Sequence, residues 1–372
     1  MRVVFAGGGT GGHIYPAITI ARVLRERHPD SEILFVGSRR GPDSDIVTRE
    51  GFEIKTIDMT GIPRRVSLRS VLAAFKAASG LTKAFAILTE FRPDVAIGTG
   101  GYISGPVLLA ARLMGVPVAI QEQNVVPGFA NRVLSRLARA VFVSFEESRP
   151  YFPRSSRVLV TGNPVRREIV EKGRTEGAEA LGLDPGRPTL LVFGGSLGAG
   201  VINEAMCEAY PSLMKIPGLQ VVHQTGPAGY DATRSKLVQR GIIPKYGGDI
   251  VLTPYLYDMA SALASADLVV MRAGGGVAEI TARGLPAILV PLSGAPGAHQ
   301  AKNAEVLRKA GAALVICQEG LNGEVLFHAV KSLLSSPARL AEMAGRSRAL
   351  GKPDAALEIV REIEAIVAGR GR

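Results

Sequence analysis

Tryptophan is absent from this 372-residue chain, and aromatic residues make up only 5% of it. That argues against a protein that grips nucleic acid by stacking bases on exposed rings. Cysteine is scarce too: Cys207 and Cys317 stand far apart, with no CxxC or CxxH beside either. Neither a disulfide framework nor a zinc site is expected, and a reducing compartment is the simple reading. No run approaches the ~20 apolar residues that a membrane-spanning helix needs, so any membrane contact is expected to be peripheral. The apolar opening Val3 to Ala6 meets glycines too soon for a signal peptide and reads as a buried first strand. No G-x-x-x-x-G-K-[ST] occurs, which excludes a P-loop NTPase.

What is present points to a globular enzyme with two domains. Apolar residues account for 47%, enough for two packed cores at this length. The net charge of +11 is unevenly placed: residues 1–165 hold 21 basic and 13 acidic side chains, the remainder 23 and 20. The basic half should face something anionic, whether nucleic acid, lipid headgroups or a phosphorylated substrate. For nucleic acid there is no supporting motif, and no nucleic-acid partner is expected.

Short β-branched runs alternate with longer helical stretches, the rhythm of a parallel sheet covered on both faces. Strands are predicted at Val3–Ala6, Ile33–Val36, Val95–Ile97, Val116–Ile120, Val141–Val143 and Val158–Thr161. The rhythm restarts at Thr189–Phe193, followed by Gln220–His223, Ile250–Thr253, Leu268–Met271, Ala287–Val290 and Ala313–Ile316. Both halves open alike, with an apolar strand running into glycines at Gly7-Gly8-Gly9 and at Gly194-Gly195-Ser196. The expected fold is α/β, with two Rossmann-like, doubly wound domains facing across a cleft. The expected division is 1–163, 164–340, and helices over 341–372 that pack back onto the first domain.

Four glycine-rich segments follow predicted strands: Gly7–Gly12, Gly98–Gly101, Gly194–Gly200 and Gly274–Gly276. Glycine at a strand-to-helix turn lets backbone N–H groups approach an anion, and the helix N-terminus adds its dipole. Four such loops point to a phosphorylated ligand. Gly7, Gly9 and Gly12 match the dinucleotide fingerprint, with Arg39-Arg40 after the next strand. A dinucleotide oxidoreductase has no place for the added His13 or for a second set of glycine loops.

Six ordered segments together resemble the MurG family of lipid-linked N-acetylglucosaminyltransferases, which have the GT-B fold. They are Gly8-Gly9-Thr10-Gly11-Gly12-His13, Gly100-Gly101-Tyr102-Ile103-Ser104-Gly105-Pro106, Gln121-Glu122-Gln123-Asn124, Gly162-Asn163-Pro164-Val165-Arg166, Gly194-Gly195-Ser196-Leu197-Gly198-Ala199 and His299-Gln300-Ala301-Lys302-Asn303-Ala304. The resemblance implies an inverting transfer of N-acetylglucosamine from UDP-GlcNAc to the 4-hydroxyl of a polyprenyl-diphosphate-linked muramyl-pentapeptide. The product is a peptidoglycan precursor. The alternatives on the same fold are a UDP-sugar epimerase or another lipid-directed glycosyltransferase.

The resemblance further implies an acceptor-binding first half and a donor-binding second half. Gly9, Gly100, Gly101, Tyr102 and Ser104 would meet the acceptor. Thr10, Gly11, Gly12, Asn124, Arg166, Ser196, Leu256, Met259, Glu279, Gln300 and Asn303 would meet UDP-GlcNAc, with the loop Gly9–Gly12 and Asn124 also open to the acceptor. The uracil would lie against Tyr255–Met259, and Glu279 would accept the ribose hydroxyls. His13 is the candidate base, because imidazole titrates near neutrality; the other reading has it holding the glycine loop or an acceptor phosphate. Glu122 is read as a second catalytic group, an acceptor-side polar group, an orienter of the base, or a buried partner of an arginine. Departure of UDP can be stabilised by backbone N–H groups without metal, and no metal or cofactor is expected. Asp43-Ser44-Asp45 has the spelling of a metal motif but lies in the acceptor half. The stretch Arg272–Glu279 is one residue shorter than the family's usual one and lacks its threonine.

Between Gly61 and Phe85, Arg65, Arg69, Lys76 and Lys83 fall on one helical stripe beside an apolar stripe of Val71, Phe75, Ala78 and Phe85. This suits docking on an anionic membrane surface at the cytoplasmic face. It suits equally an ordinary amphipathic helix that turns its apolar side inward. Other cell-wall synthesis proteins are possible partners.

Overall fold

A computed structural model of the chain describes residues 1–8, 11–39, 43–58, 68–294 and 298–369, with the backbone alone over 68–77. Two compact units divide it: Met1–Val165 with Asp354–Arg372, and Arg166–Pro353.

The first unit is built on a seven-stranded sheet of β1 (Arg2–Gly7), β2 (Glu32–Ser38), β3 (Glu53–Ile57), β4 (Val95–Gly100), β5 (Val118–Glu122), β6 (Ala140–Val143) and β7 (Val158–Val160). Every pairing is parallel, in the order β3-β2-β1-β4-β5-β6-β7. The side chains of β1 show why its sequence is apolar without alternation. Val3 and Phe5 pack on one face with Ile14, Ile18 and Leu24 of the helix Gly11–Arg27 and with Ile359, Val360 and Ile363 of the helix Ala355–Ala368. Val4 and Ala6 pack on the other with Leu88, Val107, Leu108 and Ala111 of the helices Leu68–Phe91 and Ser104–Leu113. A strand covered on both faces needs an unbroken apolar run.

The second unit repeats the plan with six parallel strands: β8 (Thr189–Phe193), β9 (Gln220–Gln224), β10 (Ile250–Thr253), β11 (Leu268–Met271), β12 (Ala287–Leu289) and β13 (Ala313–Val315). Their order is β10-β9-β8-β11-β12-β13. Leu190 and Val192 of β8 bury against Ile202, Met206 and Leu213 of the helix Gly200–Leu213, and Leu326, Val330 and Leu333 of the helix Gly323–Leu334 complete that core.

Two features differ from the sequence expectation. The strand β3 has no predicted counterpart, because at the sheet edge it buries only Ile57 fully and carries the half-exposed Lys55; edge strands are kept polar in this way. The C-terminal segment is also divided differently from the expected 341–372 block. The helix Pro337–Leu350 stays with the second unit, where Met343 enters the core and Gly284 and Gly351 let it lie against the helix Val277–Arg283. Only the helix Ala355–Ala368 returns to the first unit, which begins to take leave of the chain after Val165 rather than after 163.

Candidate active site

In each sheet the strand order reverses at the first strand, between β1 and β4 and between β8 and β11. Ligands of open α/β sheets bind outside the carboxyl ends of strands at such switch points. The glycine loops lie at both.

In the first unit the register slips between Ala6 and Gly7, where Gly7 pairs with Gly100. The loop backbones then run against each other so closely that a Cβ on Gly101 (φ +80°) would sit 2.5 Å from the Gly8 carbonyl oxygen. A Cβ on Gly100 (φ +109°) would sit 2.5 Å from His13 Nδ1. The imidazole therefore packs directly against a glycine, and Nδ1 reaches the Thr99 carbonyl at 3.0 Å. A carbonyl only accepts, so Nδ1 donates and the neutral ring keeps an unprotonated Nε2. Gln123 Nε2 donates to the same carbonyl at 2.6 Å and to Gln121 Oε1 at 3.0 Å, while Gln121 Nε2 donates to Asn163 Oδ1 at 2.9 Å. A buried amide ladder thus stands behind the carbonyl that orients His13.

Glu122 is 2% exposed. Its Oε1 accepts from the Asn124 N–H (3.0 Å) and Asn124 Nδ2 (3.3 Å), and its Oε2 accepts from the Gly128 N–H (3.0 Å) and Asn131 Nδ2 (2.8 Å). Four hydrogen bonds within the segment 122–131 occupy the carboxylate. Among the described residues no hydrogen bond joins it to His13 or to an arginine, and the reading these bonds fit is the buried partner, with amides in place of the arginine. Ser104 is fully buried, with its hydroxyl between the Ala6 carbonyl (2.7 Å) and the Gly100 backbone; it ties the two loops together and does not face outward. Tyr102 is half-buried and shares a 2.9 Å hydrogen bond with Ser38 Oγ. Asp43 is buried, accepting from the Ser38 N–H at 3.0 Å beneath Gly8, whereas Asp45 is exposed. The two carboxylates of the metal-motif spelling thus point into different surroundings. Gly11 and Gly12 begin the helix that carries His13; Gly9 and Thr10 lie outside the described residues.

In the second unit the loop after β8 turns through left-handed Gly195 (φ +90°) and Gly198 (φ +78°), which leaves Ser196 and Leu197 exposed ahead of the helix Gly200–Leu213. Gly198 and Gly226 allow this loop to press on the Thr225–Gly226 turn. A buried relay supports that contact. Tyr210 OH donates to His223 Nδ1 (3.2 Å), His223 Nε2 donates to Asn203 Oδ1 (3.1 Å), and Asn203 Nδ2 donates to the Thr225 carbonyl (2.9 Å). These roles are those of the neutral ring, which burial favours by lowering the His223 pKa to about 3.

The remaining expected donor residues gather at the same end of the second sheet. Leu256 is buried and Met259 opens the helix Met259–Ser265, whose cap Asp258 accepts from the Ser261 N–H at 3.0 Å and from Lys172 Nζ at 3.0 Å. Glu279 lies 3.6 Å from Arg166; burial raises its carboxyl pKa and the guanidinium opposes that shift. Gln300 Oε1 accepts from the Leu292 N–H at 2.9 Å. Asn303, expected at the sugar, is fully buried, with Nδ2 donating to the Ala273 carbonyl at 3.0 Å. Arg272 donates to the Val290 carbonyl at 3.0 Å, so the residues leading into Gly274–Gly276 are braced. Asn124 and the Gly11–Gly12 turn belong to the first unit, and the other described donor candidates to the second. Among the described residues no group of His, Cys, Asp or Glu side chains could hold a metal ion.

Sequence reasoning missed Gln224, His223 and Asn203 as site-building residues. The available signal was their polarity within or beside segments that otherwise read as buried.

Residues 3–143 match the model of the glycosyltransferase family 28 N-terminal domain, and residues 189–359 match that of its C-terminal domain. The chain belongs to glycosyltransferase family 28. Within this family it is similar to the UDP-N-acetylglucosamine--N-acetylmuramyl-(pentapeptide) pyrophosphoryl-undecaprenol N-acetylglucosamine transferase of Desulforudis audaxviator, at 44% identity over 100% of both chains. The enzyme of the same name from Desulforamulus reducens is 44% identical over 99% of each. A crystal structure of MurG from Acinetobacter baumannii superposes with a TM-score of 0.75 and 31% identity, covering 98% of this chain and 99% of that one. The MurG resemblance carried by the six motifs is thus established. A UDP-GlcNAc 2-epimerase from Neisseria meningitidis (17% identity, TM-score 0.67, 98% and 100% covered) shares the fold alone.

Two outcomes are expected. Gly100→Ala should push the imidazole off its glycine and release the Thr99 bond, so nitrogen NMR shifts of His13 should change from one fixed tautomer to the mixture of a free imidazole. An unchanged tautomer would remove Gly100 from the account. The second concerns pH. On unfolding, His223 regains an ordinary value near ~6.5, so the unfolded chain binds the extra proton and stability falls as pH drops from there toward 3. Chemical denaturation from pH 7 to 4 should show a shallower loss of stability in His223→Gln than in the wild type.

Proposed function

We propose that this glycosyltransferase transfers N-acetylglucosamine from UDP-GlcNAc to the 4-hydroxyl of the muramyl sugar in a polyprenyl-diphosphate-linked muramyl-pentapeptide, with inversion at the anomeric carbon. The observation that carries the mechanism is the His13–Thr99 hydrogen bond, which keeps Nε2 as the basic nitrogen at the β1/β4 switch point. Nε2 takes the proton of the 4-hydroxyl as its oxygen bonds to the anomeric carbon. The bond from that carbon to the diphosphate breaks, and UDP leaves with the electron pair. The Ser196 loop and the N-terminus of the helix Gly200–Leu213 receive the diphosphate charge. Arg166, Leu256, Met259, Glu279 and Gln300 supply the donor contacts, with the raised Glu279 carboxyl near the ribose. Gly11, Gly12 and the Gly100–Tyr102 turn receive the acceptor diphosphate. Glu122, Ser104 and Asn303 hold these loops in place.

The test is transfer of labelled N-acetylglucosamine to a shortened lipid-linked acceptor. His13→Ala should lower kcat by about 100-fold or more, the usual worth of a general base, with the UDP dissociation constant unchanged. Full activity in the variant would remove His13 as base. Conversion of UDP-GlcNAc to its 2-epimer without transfer would replace the reading with that of an epimerase.

We further infer that the first unit docks peripherally on anionic lipid at the cytoplasmic face. No helix among the described residues is long and apolar enough to cross a membrane. Of the expected 61–85 stripe, Arg65 lies outside the described residues, as do the side chains of Arg69, Val71, Phe75 and Lys76; Lys83 is exposed and Phe85 packs on the first core. Stronger support lies further along. Phe129 (80% exposed), Val133 (44%) and Leu137 (36%) recur at every fourth residue with exposed Arg132 and Arg136 between them and Arg139 just beyond. Arg112, Leu137 and Arg139 line one surface depression. Apolar side chains interleaved with arginine suit insertion at an anionic headgroup layer. Phe129→Ser with Val133→Ser should weaken binding to phosphatidylglycerol vesicles by about tenfold and leave UDP affinity alone; unaltered vesicle binding would sink the docking role.

A further inference from the structure

Gln224 ends β9 and is 2% exposed, yet its side chain serves two loops rather than the sheet. Its Nε2 donates to the Gly195 carbonyl at 2.8 Å, and its Oε1 accepts from the Leu256 N–H at 3.1 Å. The Gly195 carbonyl also accepts the Gly198 N–H at 2.9 Å, the bond that closes the left-handed turn before the helix Gly200–Leu213. Leu256 stands in the segment between β10 and the helix Met259–Ser265, beside the edge-packed rings of Tyr255 and Tyr257. One planar amide therefore joins the turn that presents backbone toward a phosphate to the segment that would receive a base. The atoms it satisfies are buried or turn-bound and would otherwise lack that partner, so the link is stiff as well as short. The neighbouring His223 points to the opposite side of the strand and braces the same turn through Asn203 and the Thr225 carbonyl.

We propose that Gln224 is a positioning residue that sets the spacing between the base-holding segment and the diphosphate-holding turn. The second unit thereby recognises a nucleoside diphosphate as one ligand rather than as two weakly coupled parts. The inference rests on the donor reading of the second unit given above. Its quantity is the gain in affinity on adding a diphosphate to uridine, which depends on both loops being held at the right separation.

The experiment measures that gain on the full chain by calorimetric titration with UDP and NMR titration with uridine, in the wild type, Gln224→Glu and Gln224→Met. Glutamate keeps an acceptor for the Leu256 N–H but sets a carboxylate against the Gly195 carbonyl; methionine removes both bonds without adding charge. The diphosphate gain should shrink by about tenfold in both variants, with uridine affinity in Gln224→Glu within about twofold of the wild type. Uridine binding retained in that variant also shows that the unit is folded. In transfer assays the KM for UDP-GlcNAc should rise while kcat at saturation stays within about threefold. An unchanged gain in Gln224→Met overturns the proposal, because loss in Gln224→Glu alone would then reflect repulsion between the carboxylate and the diphosphate. A wild type that binds neither uridine nor UDP overturns instead the donor reading on which the proposal stands.

Discussion

The close approach of two backbones at the carboxyl ends of β1 and β4 is the constraint from which the first unit's chemistry follows. Gly101 abuts the Gly8 backbone with no room for a Cβ, and Gly100 abuts His13 in the same way. Beside that contact the Thr99 carbonyl meets His13 of the helix Gly11–Arg27, and Gly100 leaves room for the imidazole. A larger residue would have to displace either a backbone carbonyl or the His13 ring, and at φ +109° and +80° it would be strained even in open space. The glycines thus do two things at once: they let the two loop backbones meet, and they make room for the histidine whose Nδ1 meets the Thr99 carbonyl.

Both units then stiffen their loops with polar groups placed just beyond the apolar part of a strand. In the first, an Asn163–Gln121–Gln123 ladder stands behind the Thr99 carbonyl, and a saturated Glu122 holds the following segment. In the second, the Tyr210–His223–Asn203 relay and Gln224 hold the turn after β8. Inside a protein such networks are strong when complete and costly when broken. They suit a site whose loops must keep their geometry before the ligand arrives. The first unit uses carboxamides and a carboxylate, the second a buried neutral imidazole whose protonation opposes folding.

Most of the architecture could be read from residues alone, because strands buried on both faces announce themselves as unbroken apolar runs. The edge strand Glu53–Ile57 could not, since it has too little to bury. The six motifs picked out candidate residues but could not sort them by task. A carboxylate that faces a ligand and one that holds four amide donors look the same in sequence, and only the structure shows the four donors on Glu122. Ser104 and Asn303 belong with it, each spent on a backbone carbonyl. Gln224 escaped notice for the opposite reason: it falls just past a predicted strand, and nothing along the chain says that its amide leaves the sheet.

The returning helix Ala355–Ala368 gives the two units unequal histories during synthesis. The second unit is contiguous, and all of it has been translated before Ile359, Val360 and Ile363 are made. Until then the Val3 and Phe5 face of the first sheet lacks part of its cover, for an interval on the order of ten seconds or more at ordinary elongation rates. The domain begun first is therefore the domain finished last. Its open apolar face is the surface that a ribosome-associated chaperone would meet.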